Sequence, residues 1–139
     1  MHPLHVTVPT SLADTRAAIE DALKAEGFGI LTEIDLQATM RAKLGAEHEG
    51  HRILGVCNPT LAKHALDLDR DIALLLPCTV TLRELADGGT EVRVLDPEAA
   101  FMLAAPESRA LLEPLAEQVA QQLGAALTTL EAATHRVSP

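Results

Sequence analysis

The residues of this sequence best suited to chemistry are its two cysteines, Cys57 and Cys78. Cys57 directly precedes Asn58 and Pro59, a preferred helix N-cap residue followed by a preferred first helical residue. Unpaired backbone N–H groups and the helix dipole at such an N-terminus stabilise a thiolate or a bound anion. The sequence therefore predicts a lowered pKa for the Cys57 thiol.

Cys78 lies one predicted helix and part of a predicted strand after Cys57, and a strand–helix–strand connection can return the second strand beside the first. Three interpretations stay open. Each cysteine packs as a small buried hydrophobe, the pair forms a disulfide, or the thiols serve redox chemistry or bind a soft metal or haem. The spacing does not match a zinc site, which usually offers cysteines two to four residues apart. We therefore predict no metal, with a soft ion on both cysteines as the alternative.

Other ionisable groups are weaker candidates. Asp35 and Lys43 are predicted to line the polar rim of the cysteine site, although exposed charges of this kind usually only solvate a surface. His48 and His51 are three residues apart and do not match the H-E-x-x-H pattern that places two rings on one helical face. We predict that both are solvated loop histidines, and that His64 is a surface or packing residue of a helix.

The charge balance excludes two classes of partner. The chain has 11 basic and 20 acidic residues and a net charge of -9, with no Trp and no Tyr. Nucleic acids and anionic membranes are bound mainly through Lys and Arg, and single-stranded bases through aromatic side chains. The P-loop and the G-x-S-x-G elbow are missing, and Gly27-Phe-Gly29 lacks the third glycine of a dinucleotide site. We expect neither nucleic acid nor membrane as a partner.

The compartment is predicted from two further observations. The N-terminal residues lack the basic start and apolar run of a secretory signal, and no stretch approaches the roughly 20 apolar residues of a membrane span. We therefore expect a cytoplasmic protein, in which both cysteines stay reduced.

The elements that must position these residues follow from apolar periodicity and end signals. A helix begins at Ser11 and ends at Gly27, and Asp87-Gly88-Gly89 predicts a hairpin turn. Strands are predicted over residues 4–8, 28–36, 51–57, 72–84 and 90–95, the fourth interrupted by Pro77, and further helices over 37–44, 59–68 and 113–134. A short helix starts at 96–98, and 106–112 is predicted to be a separate turn because Pro114 suits a first helical turn.

These elements fit one domain over residues 1–139, since 139 residues with 47% hydrophobic side chains can bury a sizeable core. We predict an α+β fold. It is a two-layer α/β sandwich with a mixed, mostly antiparallel sheet, helices packed on one face and a long C-terminal helix.

Three segments, 27–45, 53–66 and 72–80, resemble in order and spacing the family called domain of unknown function 302. The resemblance implies a compact two-layer α/β domain that often forms homodimers, and it carries no established activity. The family's motif positions fall on Asp35, Lys43, Leu44, Gly45, Gly55, Cys57, Asn58, Pro59, Leu76, Pro77 and Cys78. Lys63 stands where members often have histidine, and Thr79 replaces a frequent asparagine, so no histidine is assigned to the cysteine site.

Our leading hypothesis is a small-molecule-binding domain, in which the helix N-terminus at Asn58 receives an anionic group near Cys57 and Cys78, with Asp35 and Lys43 at the rim. The first alternative is a thiol redox, soft-metal or haem-binding protein that uses both cysteines. The second is a homodimeric interaction module. The sequence leaves open the cofactor and whether a reaction is catalysed, and it favours a second copy of the chain and a small molecule as partners.

Overall fold

The computed structural model describes the backbone of residues 4–137 and the side chains of residues 4–135. The β-strands are β1 (His5–Val8), β2 (Gly29–Asp35), β3 (His51–Cys57), β4 (Cys78–Glu84) and β5 (Thr90–Val94). The α-helices are α1 (Leu12–Ala25), α2 (Leu36–Leu44), α3 (Pro59–Leu68), α4 (Pro97–Phe101) and α5 (Pro106–Val137), and a 3-10 helix spans Arg70–Leu75. None of the helices within 4–137 is long and apolar enough to cross a membrane.

The strands form one five-stranded sheet in the order β1-β5-β4-β3-β2. All four neighbouring pairs are antiparallel. The predicted α+β class with a long C-terminal helix is confirmed, and the described strands contain no parallel pair. β3 and β4 are adjacent although α3 and the 3-10 helix separate them in the chain, which brings the ends of these two strands together.

The core lies between one face of the sheet and helices α1 and α5. Strand residues that alternate inward meet the apolar stripes of both helices, as expected for a sheet with one covered face. The fully buried members include Leu54, Val56, Val80, Leu82 and Val92 from the sheet, Ile19 and Leu23 from α1, and Leu123, Leu127 and Leu130 from α5.

A second, smaller cluster covers one end of this layer. It joins α3, the 3-10 helix, α4 and the first turns of α5 through buried side chains such as Ala65, Ile72, Phe101 and Leu112. This cluster lies beyond the strand ends that carry the two cysteines, and it supplies part of the surroundings of both thiols.

The predicted strand over 72–84 is wrong in its first half. Residues 70–75 form the 3-10 helix, and β4 begins only at Cys78. The side chain of Asp69 accepts a hydrogen bond from the Asp71 N–H (2.9 Å) and starts this helix. Within it Ile72 is buried while Leu74 is 87% exposed. The apolar run that suggested a strand therefore contributes Ile72, and the partly buried Leu75, to the second cluster.

The separate turn predicted at 106–112 is also wrong, because α5 runs unbroken from Pro106 to Val137 and contains Pro114. Pro106 takes the first-turn position that the prediction gave to Pro114. Leu112 and Leu115 are both buried in the second cluster. Their burial stabilises the continuous helix against the backbone hydrogen bond that Pro114 cannot donate.

Candidate functional site

The two cysteines lie at the same end of adjacent strands. Cys57 is the last residue of β3, Cys78 is the first residue of β4, and Val56 pairs with Cys78 in the antiparallel register. Cys57 is thus one residue beyond the strand partner of Cys78, and both are free thiols that are partly exposed. The connection through α3 and the 3-10 helix returns the chain to this point.

Both thiols line one small pocket between the sheet end, α3 and α5. The space open to the centre of a water-sized sphere is about 20 Å³, which is about the room that one water molecule needs. Apart from the cysteines and Asn58, the walls are apolar and include Phe28, Val56, Leu61, Ala65, Leu76, Phe101 and Leu115. The pocket therefore suits a single small occupant with little need of hydrogen bonds.

The surroundings shift the pKa of each thiol upward. Burial raises the pKa of Cys57, and burial together with a smaller effect of the neighbouring Cys57 thiol raises the pKa of Cys78 to about 11. The lowered pKa expected for Cys57 at a helix N-terminus is therefore wrong. The apolar walls remove water from the sulfur atoms, which disfavours the charged thiolate.

The N-terminus of α3 is occupied by its own cap. The Leu61 N–H donates to Asn58 Oδ1 (3.3 Å), and the Ala62 N–H donates to the backbone oxygen of Asn58 (2.9 Å). Asn58 Nδ2 also donates to the backbone oxygen of Glu26 (3.4 Å), beside Gly27, where a Cβ would lie 3.0 Å from that nitrogen. Asn58 thus joins the C-terminus of α1 to the start of α3 and fixes the edge of the pocket.

We expect Asn58→Ala to lower the free energy of unfolding by about 1–2 kcal/mol, because it removes the cap of α3 and the hydrogen bond to Glu26. Urea denaturation of both proteins measures this change. Asn58→Asp is the matched control, since it keeps an oxygen for the Leu61 N–H but has no amide to donate. If Asn58→Ala lowers the free energy of unfolding by no more than Asn58→Asp does, the cap contributes nothing to stability.

Asp35 and Lys43 do not line this pocket. Asp35 pairs with Arg52 at one end of β2, whereas Gly29 at the other end pairs with Cys57, so Asp35 is about 17 Å from the cysteine end. Its Oδ1 accepts a hydrogen bond from the Ala38 N–H (2.9 Å) and caps α2. Lys43 is exposed in the last turn of α2, where its charge complements the helix dipole.

The prediction that His48 and His51 are both solvated loop histidines is wrong, because His51 begins β3 and both side chains are partly buried against each other. His48, Glu49 and His51 offer one ligand atom each, all within 4.8 Å of one another. His48 Nε2 and His51 Nδ1 are 3.0 Å apart. The signal available in the sequence was the three-residue spacing at the entry to β3, which becomes informative only when the loop conformation is known.

Comparisons with known proteins agree with the fold. A family model described as domain of unknown function DUF302 matches residues 4–130. A crystal structure of an uncharacterized conserved protein DUF302 from Bacillus stearothermophilus is similar, with a TM-score of 0.79, 27% identity, and coverage of 91% of this chain and 98% of that chain. No curated protein matches. The resemblance seen in the segments around both cysteines is thereby confirmed, and the chain belongs to the DUF302 family.

Proposed function

We propose that this protein binds one soft monovalent metal ion, of which Cu(I) is the natural candidate, between the sulfur atoms of Cys57 and Cys78. One observation carries the proposal: two free thiols line the same pocket, and that pocket has room for a single atom-sized occupant. Soft thiolate ligands select soft ions of this kind.

The same pocket is poorly suited to an anion. Among the described residues, none that lines it carries a charged side chain, and transfer of an anion into apolar surroundings is costly unless the charge is paired. The nearest helix N-terminus is capped by Asn58 rather than open. The anionic-ligand hypothesis therefore has less support here than the soft-metal alternative.

The raised pKa values also count against a redox nucleophile. A thiol attacks as the thiolate, and burial keeps both cysteines protonated at neutral pH. A metal ion overcomes this, because each S–H bond is replaced by an S–metal bond while two protons leave to solvent. The product carries one net negative charge, in place of the two that a pair of separate thiolates would carry.

Two further expectations accompany this proposal. A reducing, cytoplasmic setting keeps both thiols available, and the homodimer implied by the family resemblance stays a prediction. Neither is needed for the metal to bind, since both sulfur ligands come from one chain.

The proposal is tested with Ag(I), a redox-inert soft ion. Excess free histidine is present, so that it competes for the ion with weaker imidazole sites on the protein. Native mass spectrometry of the full chain should show one tightly bound ion. Cys57→Ala and Cys78→Ala should each weaken binding at least 100-fold, because one thiolate alone cannot replace a two-thiolate site. His64→Ala, on the exposed part of α3, is the matched control and should bind as the wild type does.

Wild-type affinity in either cysteine variant would contradict the proposal. Melting temperatures measured without metal show whether each variant is folded, and Cys57→Ser serves as a second variant if alanine collapses the pocket. A larger stabilisation by sulfate in the wild type than in Cys57→Ala would instead favour the anionic ligand.

A further inference from the structure

We propose that His48, Glu49 and His51 form a second site, for one divalent first-row transition metal ion such as Zn²⁺, at the end of β3 opposite to the cysteines. His51 begins β3 and Cys57 ends it, so the two sites are about 20 Å apart along the strand. The proposal is independent of soft-metal binding, because it uses different residues and a different class of ion.

The donor atoms lie close to one another, all within 4.8 Å. His48 Nε2 lies 3.0 Å from His51 Nδ1, and His48 Nδ1 lies 3.6 Å from Glu49 Oε2. Two nitrogens bound to one ion at roughly 2.0–2.1 Å are about 2.9 Å apart at a right angle and about 3.4 Å apart at a tetrahedral angle. The observed nitrogen separation lies within this range. The two nitrogens point at each other and Glu49 lies beside the other nitrogen of His48, so both rings and the carboxylate must turn toward a common point when the ion binds.

Without an ion, the two imidazole nitrogens are within hydrogen-bonding distance of each other, with one ring as donor and the other as acceptor. The planes of the two rings are 3° from parallel and their centroids are 5.3 Å apart. The centroid separation exceeds the nitrogen–nitrogen distance by about the width of one ring, as it does when both nitrogens lie on the line between the centroids. The two nitrogens therefore face each other across a hydrogen bond. When the ion binds, the donor ring carries its proton on its other nitrogen instead. Two N–metal bonds and one O–metal bond then replace metal–water bonds, and no redox step is involved.

The backbone of this segment is held on both sides. Gln37 Nε2 donates to the backbone oxygen of His48 (3.1 Å). The Gly50 N–H donates to Glu84 Oε2 (3.3 Å), and the Glu84 N–H donates to the backbone oxygen of Gly50 (2.8 Å). Because the loop is fixed before the ion arrives, little conformational entropy is lost on binding.

The donor set selects the class of ion. Two imidazoles and a carboxylate suit Zn²⁺, Ni²⁺ and Cu²⁺, and with open positions they resemble the two-histidine, one-carboxylate arrangement of transition-metal sites. Ca²⁺ and Mg²⁺ prefer oxygen ligands throughout. We therefore expect Zn²⁺ to bind and Ca²⁺ not to compete.

One neighbouring cation opposes the ion. Arg83 Nη1 lies 3.9 Å from Glu49 Oε1, and Arg83 Nη2 lies 3.2 Å from Glu91 Oε1. Arg83 keeps its contact with Glu91 when Glu49 turns to the metal, but its positive charge repels a divalent ion. Replacing Arg83 with glutamine should therefore strengthen binding, a change that adventitious binding to exposed histidines elsewhere would not show.

The test is isothermal titration of the full chain with Zn²⁺. We expect one ion per chain, and His48→Gln and His51→Gln should each weaken binding at least tenfold. Arg83→Gln should bind several-fold more tightly. The controls are His64→Gln, which removes an exposed histidine from α3, and the double variant Cys57→Ala/Cys78→Ala, and both should stay within twofold of the wild type.

Two results would overturn the site: unchanged affinity in both histidine variants, or loss of binding confined to the cysteine double variant. Glu49→Gln, on an exposed loop side chain, should also weaken binding and serves as the decisive variant if a histidine replacement destabilises β3. Failure of the Zn²⁺ experiment leaves the Ag(I) result at the cysteines unaffected, so the two proposals fail separately.

Discussion

Replacing Gly55 with alanine should lower the free energy of unfolding by about 1–3 kcal/mol, the usual cost of overpacking a filled site. Gly55 lies in β3, two residues before Cys57, and it is buried. A Cβ at this position would overlap the hydroxyl of Thr32 on the neighbouring strand and would lie 2.7 Å from Cγ of Pro77. The strand has no space for even one methyl group, and chemical denaturation measures the cost.

Gly29→Ala is the matched control, because a Cβ there would meet nothing within 4 Å. Its free energy of unfolding should stay within about 0.5 kcal/mol of the wild type, as for most surface substitutions. The double variant Thr32→Ala/Gly55→Ala removes the closer of the two contacts and should recover part of the loss. Equal stability of Gly55→Ala and Gly29→Ala would show that the Pro77 and Thr32 side chains move aside freely.

Local signals in the sequence were reliable where a few neighbouring residues decide the structure. Asn58 before Pro59 predicted the start of α3, and Asp87-Gly88-Gly89 predicted the hairpin, where Gly88 has a φ of +89°. In each case the side chain or the missing Cβ acts on its own backbone. Such effects need no knowledge of the rest of the fold.

The errors arose where tertiary contacts decide. Ile72 and Leu112 are buried in the second cluster. Packing in this cluster determines that residues 70–75 form a 3-10 helix and that α5 continues through Pro114. Periodicity alone cannot separate a short buried strand from a short buried helical segment. Neither correction was available before the partners in this cluster were known.

For the candidate site, the sequence predicted the residues but not their environment. A helix N-terminus favours a thiolate and desolvation opposes it, and desolvation by the apolar walls sets the direction of the pKa shift at Cys57. Asp35 was predicted to line the rim of the cysteine site, whereas it caps α2 at the opposite end of β2. Both outcomes depend on packing between elements distant in the chain.

Raising the pH from about 9 to 11 should destabilise the wild type by about 2 kcal/mol relative to Cys78→Ala. Burial raises the pKa of Cys78 from 9.0 to about 11 in the folded state. Above pH 9 the unfolded chain therefore loses this proton while the folded chain keeps it, so stability falls as the pH rises, by up to about 1.4 kcal/mol per pH unit. Urea denaturation under reducing conditions, repeated across this range, measures the effect.

The comparison with Cys78→Ala isolates one group, because every other titratable side chain is present in both proteins. Parallel stability curves would mean that the pKa of Cys78 is the same in the folded and unfolded states, and that the apolar pocket does not desolvate the thiolate. Ag(I) provides the link to function. An ion bound by both sulfur atoms keeps both thiols deprotonated between about pH 9 and 11, so loading the wild type should abolish the additional slope, whereas a metal bound elsewhere would leave it unchanged.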